Sequence, residues 1–129
     1  MAVTHTTAAR NAATDAVTAL IGASGRLRFR LSGTVSAPGT SVANLALSTT
    51  AFGASATGTA TANAITSDTN AAGNATAVST ATIETSGGVV VLHMAVAASA
   101  SDINLTNGLT IAAADTVSCS SLTYTALSA

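Results

Sequence analysis

Residues 26–31 read Arg-Leu-Arg-Phe-Arg-Leu. Successive side chains on a strand point to opposite faces, so strict alternation commits this stretch to extended structure. Leu27, Phe29 and Leu31 face one way, and Arg26, Arg28 and Arg30 the other. A strand with one apolar face needs a sheet around it and a second layer over it. Alternation recurs at residues 75–84, where Ala77, Ser79, Ala81 and Ile83 oppose Val78, Thr80 and Thr82. It recurs at residues 42–47, with Leu45 and Leu47 on one face, and at residues 116–126. Residues 89–96 are apolar on both faces apart from His93, which predicts the most buried strand. Short extended pieces are also predicted at residues 57–65, 103–105 and 109–111. Ser86-Gly87-Gly88 and Asn107-Gly108 supply turn residues between them.

One segment has the helical period instead. Over residues 6–21, Ala9, Ala13, Ala16, Val17 and Leu20 recur at three- and four-residue spacing and predict the buried face. Arg10, Asn11, Thr14, Asp15 and Thr18 then fall on the solvent side. Thr6 or Thr7 suits the N-cap, and Gly22 the C-terminal left-handed position. The expected fold is mainly β: a β-sandwich or jelly-roll-like domain of seven to eight short strands with one N-terminal helix. Residues 1–5 are expected to form an N-terminal arm and 6–129 a single β-rich domain.

Such a fold has little to bury. Of 129 residues, 31 are Ala and only 27 are Val, Leu, Ile or Phe. That stock is close to the floor for a packed domain, yet the net charge of −1 is not that of a disordered chain. Charged residues make up 7% of the sequence, against about 25% in a free soluble domain. The rest is Ala, Thr and Ser, a surface suited to being covered by other protein.

Composition narrows the function classes. Four arginines and no lysine argue against a nucleic-acid surface. No apolar run is long enough for a membrane helix, and no secretory signal pattern opens the chain. Cys119 is the only cysteine, so no intrachain disulfide is expected. His5 and His93 are far apart, which leaves no ligand pair for a metal. No cofactor is expected, and no catalytic residue is assigned. Asp68-Thr69-Asn70 reads as an Asx turn rather than a calcium loop. His93 lies mid-strand and reads as a structural or interface residue.

The arginine row is the sharpest feature. Residues 1–30 sum to +3 (four Arg, one Asp) and residues 31–129 to −4. Arg26, Arg28 and Arg30 repel one another along one face and call for compensation. Two readings fit: a solvated edge strand guarded by charge, or a docking face for an acidic partner surface. Val3, Phe52 and Leu127 are the candidate apolar residues for a subunit interface.

The stretch from Ala9 to Ile21 (Ala-Arg-Asn-Ala-Ala-Thr-Asp-Ala-Val-Thr-Ala-Leu-Ile), followed by a Gly-rich turn and the strand Leu27–Leu31, resembles the opening of short virion structural proteins of tailed bacteriophages. So do Ala60–Asp68, Asp102–Leu105 and Ala114–Thr123. The chain departs from that group after Leu31, where it reads Ser32-Gly33-Thr34-Val35-Ser36-Ala37-Pro38. The resemblance implies a non-enzymatic virion component, made in the bacterial host cytoplasm. The reading it favours is a cement or decoration protein on the outer capsid surface. Its partners would be the major capsid protein and further copies of itself, as a dimer or trimer, with no nucleic acid and no membrane. The alternatives are a tail or neck component and a virion-displayed module that binds a host surface or glycan.

Overall fold

The structure, a computed structural model, describes residues 3–128. Helix α1 (Thr7–Ala19) precedes seven strands: β1 (Arg26–Arg30), β2 (Ser41–Ala46), β3 (Thr59–Thr61), β4 (Thr80–Glu84), β5 (Val90–Ala97), β6 (Ile103–Asn104) and β7 (Thr123–Thr125). Five strands form one sheet in the order β2-β1-β4-β5-β6, and β3 pairs with β7 in a second. The large sheet curls, and the whole is mainly β and sandwich-like. Met1, Ala2 and Ala129 lie outside the described residues, so the expected arm is seen only at residues 3–5.

Local chemistry sets the element ends. Thr6 caps α1, its hydroxyl accepting from the Ala9 N–H at 3.2 Å. Gly22 follows at φ +70°, a conformation that other side chains resist. In the turn between β4 and β5, the Thr85 N–H donates to the Val89 carbonyl, and Gly88 stands at φ +85°.

β1 and β4 are central, and β1 is antiparallel to both β2 and β4. The register puts Leu27 between Leu45 and Ile83, and Phe29 between Ala43 and Ala81. These six residues are all buried and lie on the apolar face of the large sheet. Each large side chain buried there stabilises the fold by roughly 1.5–3 kcal/mol. Ala51, Ala60 and Ala71 are also buried, filling space that larger side chains could not enter.

Two expectations about strands fail. β5 is not the most buried strand: only Val96 along it is fully buried, and Val89 just before it is 66% exposed. The reason is position, since β6 covers β5 only at Val96 and Ala97. The turn expected at Asn107-Gly108 is present, with Gly108 at φ +110°, but the extended piece expected at residues 109–111 is not a strand. β6 runs parallel to β5, while the carbonyls of Leu109 and Ile111 accept from the Val78 and Asn74 N–H groups.

The two edges of the large sheet differ. Outside β2, the Gly73 N–H donates to the Val42 carbonyl at 3.1 Å, and the Thr66 N–H to the Ala46 carbonyl at 2.9 Å. Between them, the Asn44 N–H is taken by Asp68 Oδ2 at 2.8 Å. Outside β5, Asp102 Oδ2 holds the Ala95 N–H at 2.9 Å, and among the described residues no strand pairs with the part before it on that side.

Candidate assembly surface

The three arginines of β1 share a face, as their spacing predicts, but they do not form an exposed docking row. Arg30 is 6% exposed and Glu84, four residues along the neighbouring β4 from Arg30's partner Thr80, is 1% exposed. Arg30 Nη2 meets Glu84 Oε2 at 2.5 Å, and Arg30 Nε donates to Thr82 Oγ1 at 3.0 Å. Thr82 donates to the same carboxylate oxygen at 2.6 Å. Arg30 Nη1 reaches the Gly39 carbonyl at 2.6 Å, tying the loop after β1 to the sheet. Arg28 Nε lies 3.8 Å from Glu84 Oε1 and is half-buried.

Burial by itself would raise the Glu84 carboxyl. The hydrogen bonds from Thr82 and Arg30, with the charges of Arg30 and Arg28, outweigh it and hold the group below the ordinary carboxylate range. The compensation that three like charges demand therefore comes from inside the chain. This corrects the docking-face reading for Arg30 and weakens it for Arg28. Glu84 escaped the sequence reading, although Thr80, Thr82 and Glu84 carry the same two-residue period as the arginines and were the signal for it.

The helix shows the larger reversal. Its buried side is the polar one. Thr14 is fully buried; its hydroxyl donates to the Gly58 carbonyl at 2.6 Å and accepts from the Ala126 N–H at 3.1 Å. Asn11 Oδ1 takes the Gly58 N–H at 2.7 Å, and Asp15 Oδ1 takes the Ser55 N–H at 2.9 Å. Arg10 donates to the carbonyls of Thr57 and Leu127 at 2.8 Å and 3.1 Å. The 55–58 turn cannot satisfy its own backbone groups, so the polar stripe of α1 supplies the partners. Gly58 permits the close approach: a Cβ there would lie 2.9 Å from Arg10 Nε. In consequence Ala9 and Ala16 of the predicted face turn outward with Ala12 and Ala19, and Leu20 is 67% exposed, while Ala13 and Val17 are half-buried.

The same economy runs through the whole chain. Asp68 also accepts from the Asn70 N–H at 3.0 Å, the Asx turn its sequence predicts. Asp115 accepts from the Ala112 N–H at 2.9 Å. Eight of the nine charged side chains have an intrachain hydrogen bond or ion pair; among the described residues Arg26 has none. What remains outside is mostly Ala, Thr, Ser and Gly, with Asp102 and Asp115 the exposed charges.

The candidate interface residues divide. Val3 is 77% exposed. Phe52 is 5% exposed and belongs to the core, so it has no side chain to offer a second subunit. Leu127 is half-buried, and its carbonyl is held by Arg10. His93 pairs with Thr82 across β4 and β5, in line with Arg28, and its Nε2 is enclosed without a hydrogen-bond partner.

A cleft of about 470 Å³ lies between the 102–111 segment and residues 115–123, with Phe29 in its wall. Hydroxyls and amides line most of it, Asn104, Thr106 and Ser121 among them. Burial pushes the Cys119 thiol up, which keeps it protonated at neutral pH. Among the described residues there is no group of three His, Cys, Asp or Glu that could hold a metal ion, and no helix long and apolar enough to cross a membrane. Compared with protein-family models, curated proteins and solved structures, the chain matches none.

Proposed function

We propose that this chain is a non-enzymatic component of a bacteriophage virion, and within that class a cement or decoration protein on the head. The observation that carries the reading is the outward surface of α1. Ala9, Ala16 and Leu20 of its apolar stripe face away from the domain with Ala12, while the polar stripe is used inside. A chain with so few large apolar residues that still turns a helix's apolar side outward is built to be covered by another protein. The sequence resemblance to short phage virion proteins names the kind of assembly.

Such a protein works by linkage. It binds the assembled lattice and not its separate parts, so each bound copy stabilises the shell. Several modest contacts, engaged together, hold it in place. With Arg30 and Glu84 buried against each other and Arg28 beside them, the arginine row has little charge to offer the major capsid protein, and the contact is apolar and backbone-mediated rather than electrostatic. Raised salt is therefore expected to leave the protein on purified heads, and Arg28→Ala to be retained like the parent.

The deciding experiment is the location and copy number of the chain in a virion reconstruction. Density on the outer head lattice, in copy number proportional to the major capsid protein, supports the proposal. A few copies in the tail or neck would move it to that alternative, and absence from the particle would overturn it.

A further inference from the structure

We infer that the open edge of β5 is a dimer interface, on which a second copy of this chain pairs its own β5 antiparallel. The inference stands apart from the virion reading, because it concerns the chain in solution. It starts from the contrast between the sheet's two edges. Val42, Asn44 and Ala46 on β2 are each met from outside by residues 66–73. On β5 the Ala95 N–H points outward to Asp102, which fixes the direction of its neighbours. Backbone groups alternate along a strand, so those of His93, two residues earlier, point outward too. No strand lies there, because β6 pairs only with Val96 and Ala97.

An unpaired row of backbone donors and acceptors accepts one kind of partner, another extended strand. Native edges are guarded by charge, by proline or by a covering segment. β2 has the covering segment. The open stretch of β5 has none of these: from Thr85 to Ser101 the chain holds no Asp, Glu, Lys, Arg or Pro, and Asp102 and β6 guard the strand only from Ala95 onward. Val91, Leu92 and Met94 are only half-buried, and Val89 is exposed. Left open, such an edge drives unlimited aggregation.

A second copy resolves this. In an antiparallel two-fold pair the two edges are self-complementary, each residue pairing with its counterpart across the axis. Antiparallel alignment sets the mate's β6 beyond the Ser86–Gly88 turn, whereas parallel alignment would drive the two β6 strands together. The far edge of each copy is the capped β2, so the joined sheet does not grow from that side.

The test is oligomeric state by sedimentation, with amide hydrogen exchange at His93. The expected result is a dimer whose His93 N–H is protected at high concentration and exchanges rapidly on dilution. His93→Pro removes the outward donor and is expected to give a monomer. Val89→Lys with Ala95→Lys provides a second route at two exposed positions, so that folding is not at stake. Both positions flank the open stretch, so the added like charges at its two ends should raise the dissociation constant at least tenfold. A monomer at all concentrations, open-ended growth, or a dimer indifferent to the double-lysine variant would each overturn the inference.

Discussion

Strand β1 and helix α1 are both amphipathic, and each buries a polar side, but by different means. On β1 the apolar face is covered by the core, and the other is buried at Arg30 against a carboxylate placed among the arginines. On α1 only one face is covered, and it is the polar one. Periodicity tells which residues share a face. Which face turns inward depends on what the neighbouring segment lacks. The core beside β1 lacked apolar surface, whereas the 55–58 turn and residues 126–127 beside α1 lacked hydrogen-bond partners.

The β1 side of this contrast is broken most severely at Glu84. Glu84→Gln removes the charge and leaves Arg30 buried without a counter-ion. Breaking a buried pair from one side costs about 3–5 kcal/mol, a large part of the stability of a small domain. Urea denaturation should show the fall as a lower midpoint with little change in slope. Arg30→Lys is expected to cost nearly as much, since a single ammonium cannot reach Thr82, Glu84 and Gly39 together.

The same carboxylate sets the acid limit of the fold. Its folded pKa is depressed, so its contribution is complete above the ordinary glutamate value of about 4.3 and is lost as pH falls through the lowered folded value. Thermal midpoints measured down through the acid range should therefore decline more steeply for the parent than for Glu84→Gln. Equal slopes would show that the pair does not control acid stability.

The α1 side rests on Thr14. Thr14→Val keeps the volume but leaves the Gly58 carbonyl and the Ala126 N–H unpaired, at a cost of about 1–3 kcal/mol. Amide exchange at Ala126 should accelerate with it. If Thr14→Val were neutral while Ala16→Ser were costly, the helix would be docked the other way round.

The fold was largely legible because the strand signals were local. Alternation at Arg26–Leu31 and at residues 75–84 located β1 and β4, and the apolar run located β5. The partners of these strands were less visible. Nothing in Ile103–Leu105 announces a parallel pairing with Val96, and nothing in Val89–Val96 says that its neighbour is only two residues long. The candidate site was legible in part. Arginine spacing placed three charges on one face, but their counter-ion lies 54 residues from Arg30, and only strand order brings it there. Phe52 was misplaced for a similar reason. It stands in a loop of small residues with no period, and its burial follows from an isolated bridge to Ala62.

The weakest effect sharpens the comparison most, because the helical pattern and the fold predict opposite results for one residue. Leu20 ends the apolar stripe of α1, and a helix docked by that stripe would lose about 2–5 kcal/mol on truncation there. In this fold the side chain is 67% exposed. Leu20→Ser is therefore expected to shift the denaturation midpoint by no more than about 0.5 kcal/mol, as for other surface positions. Arg26→Ala, at the one charged side chain without a partner, should be equally silent. If the α1 stripe serves assembly, Leu20→Ser should reduce retention on the particle while leaving the isolated domain intact. A change that spares the fold and loosens the complex distinguishes a surface kept apolar for a partner from one that is merely tolerated.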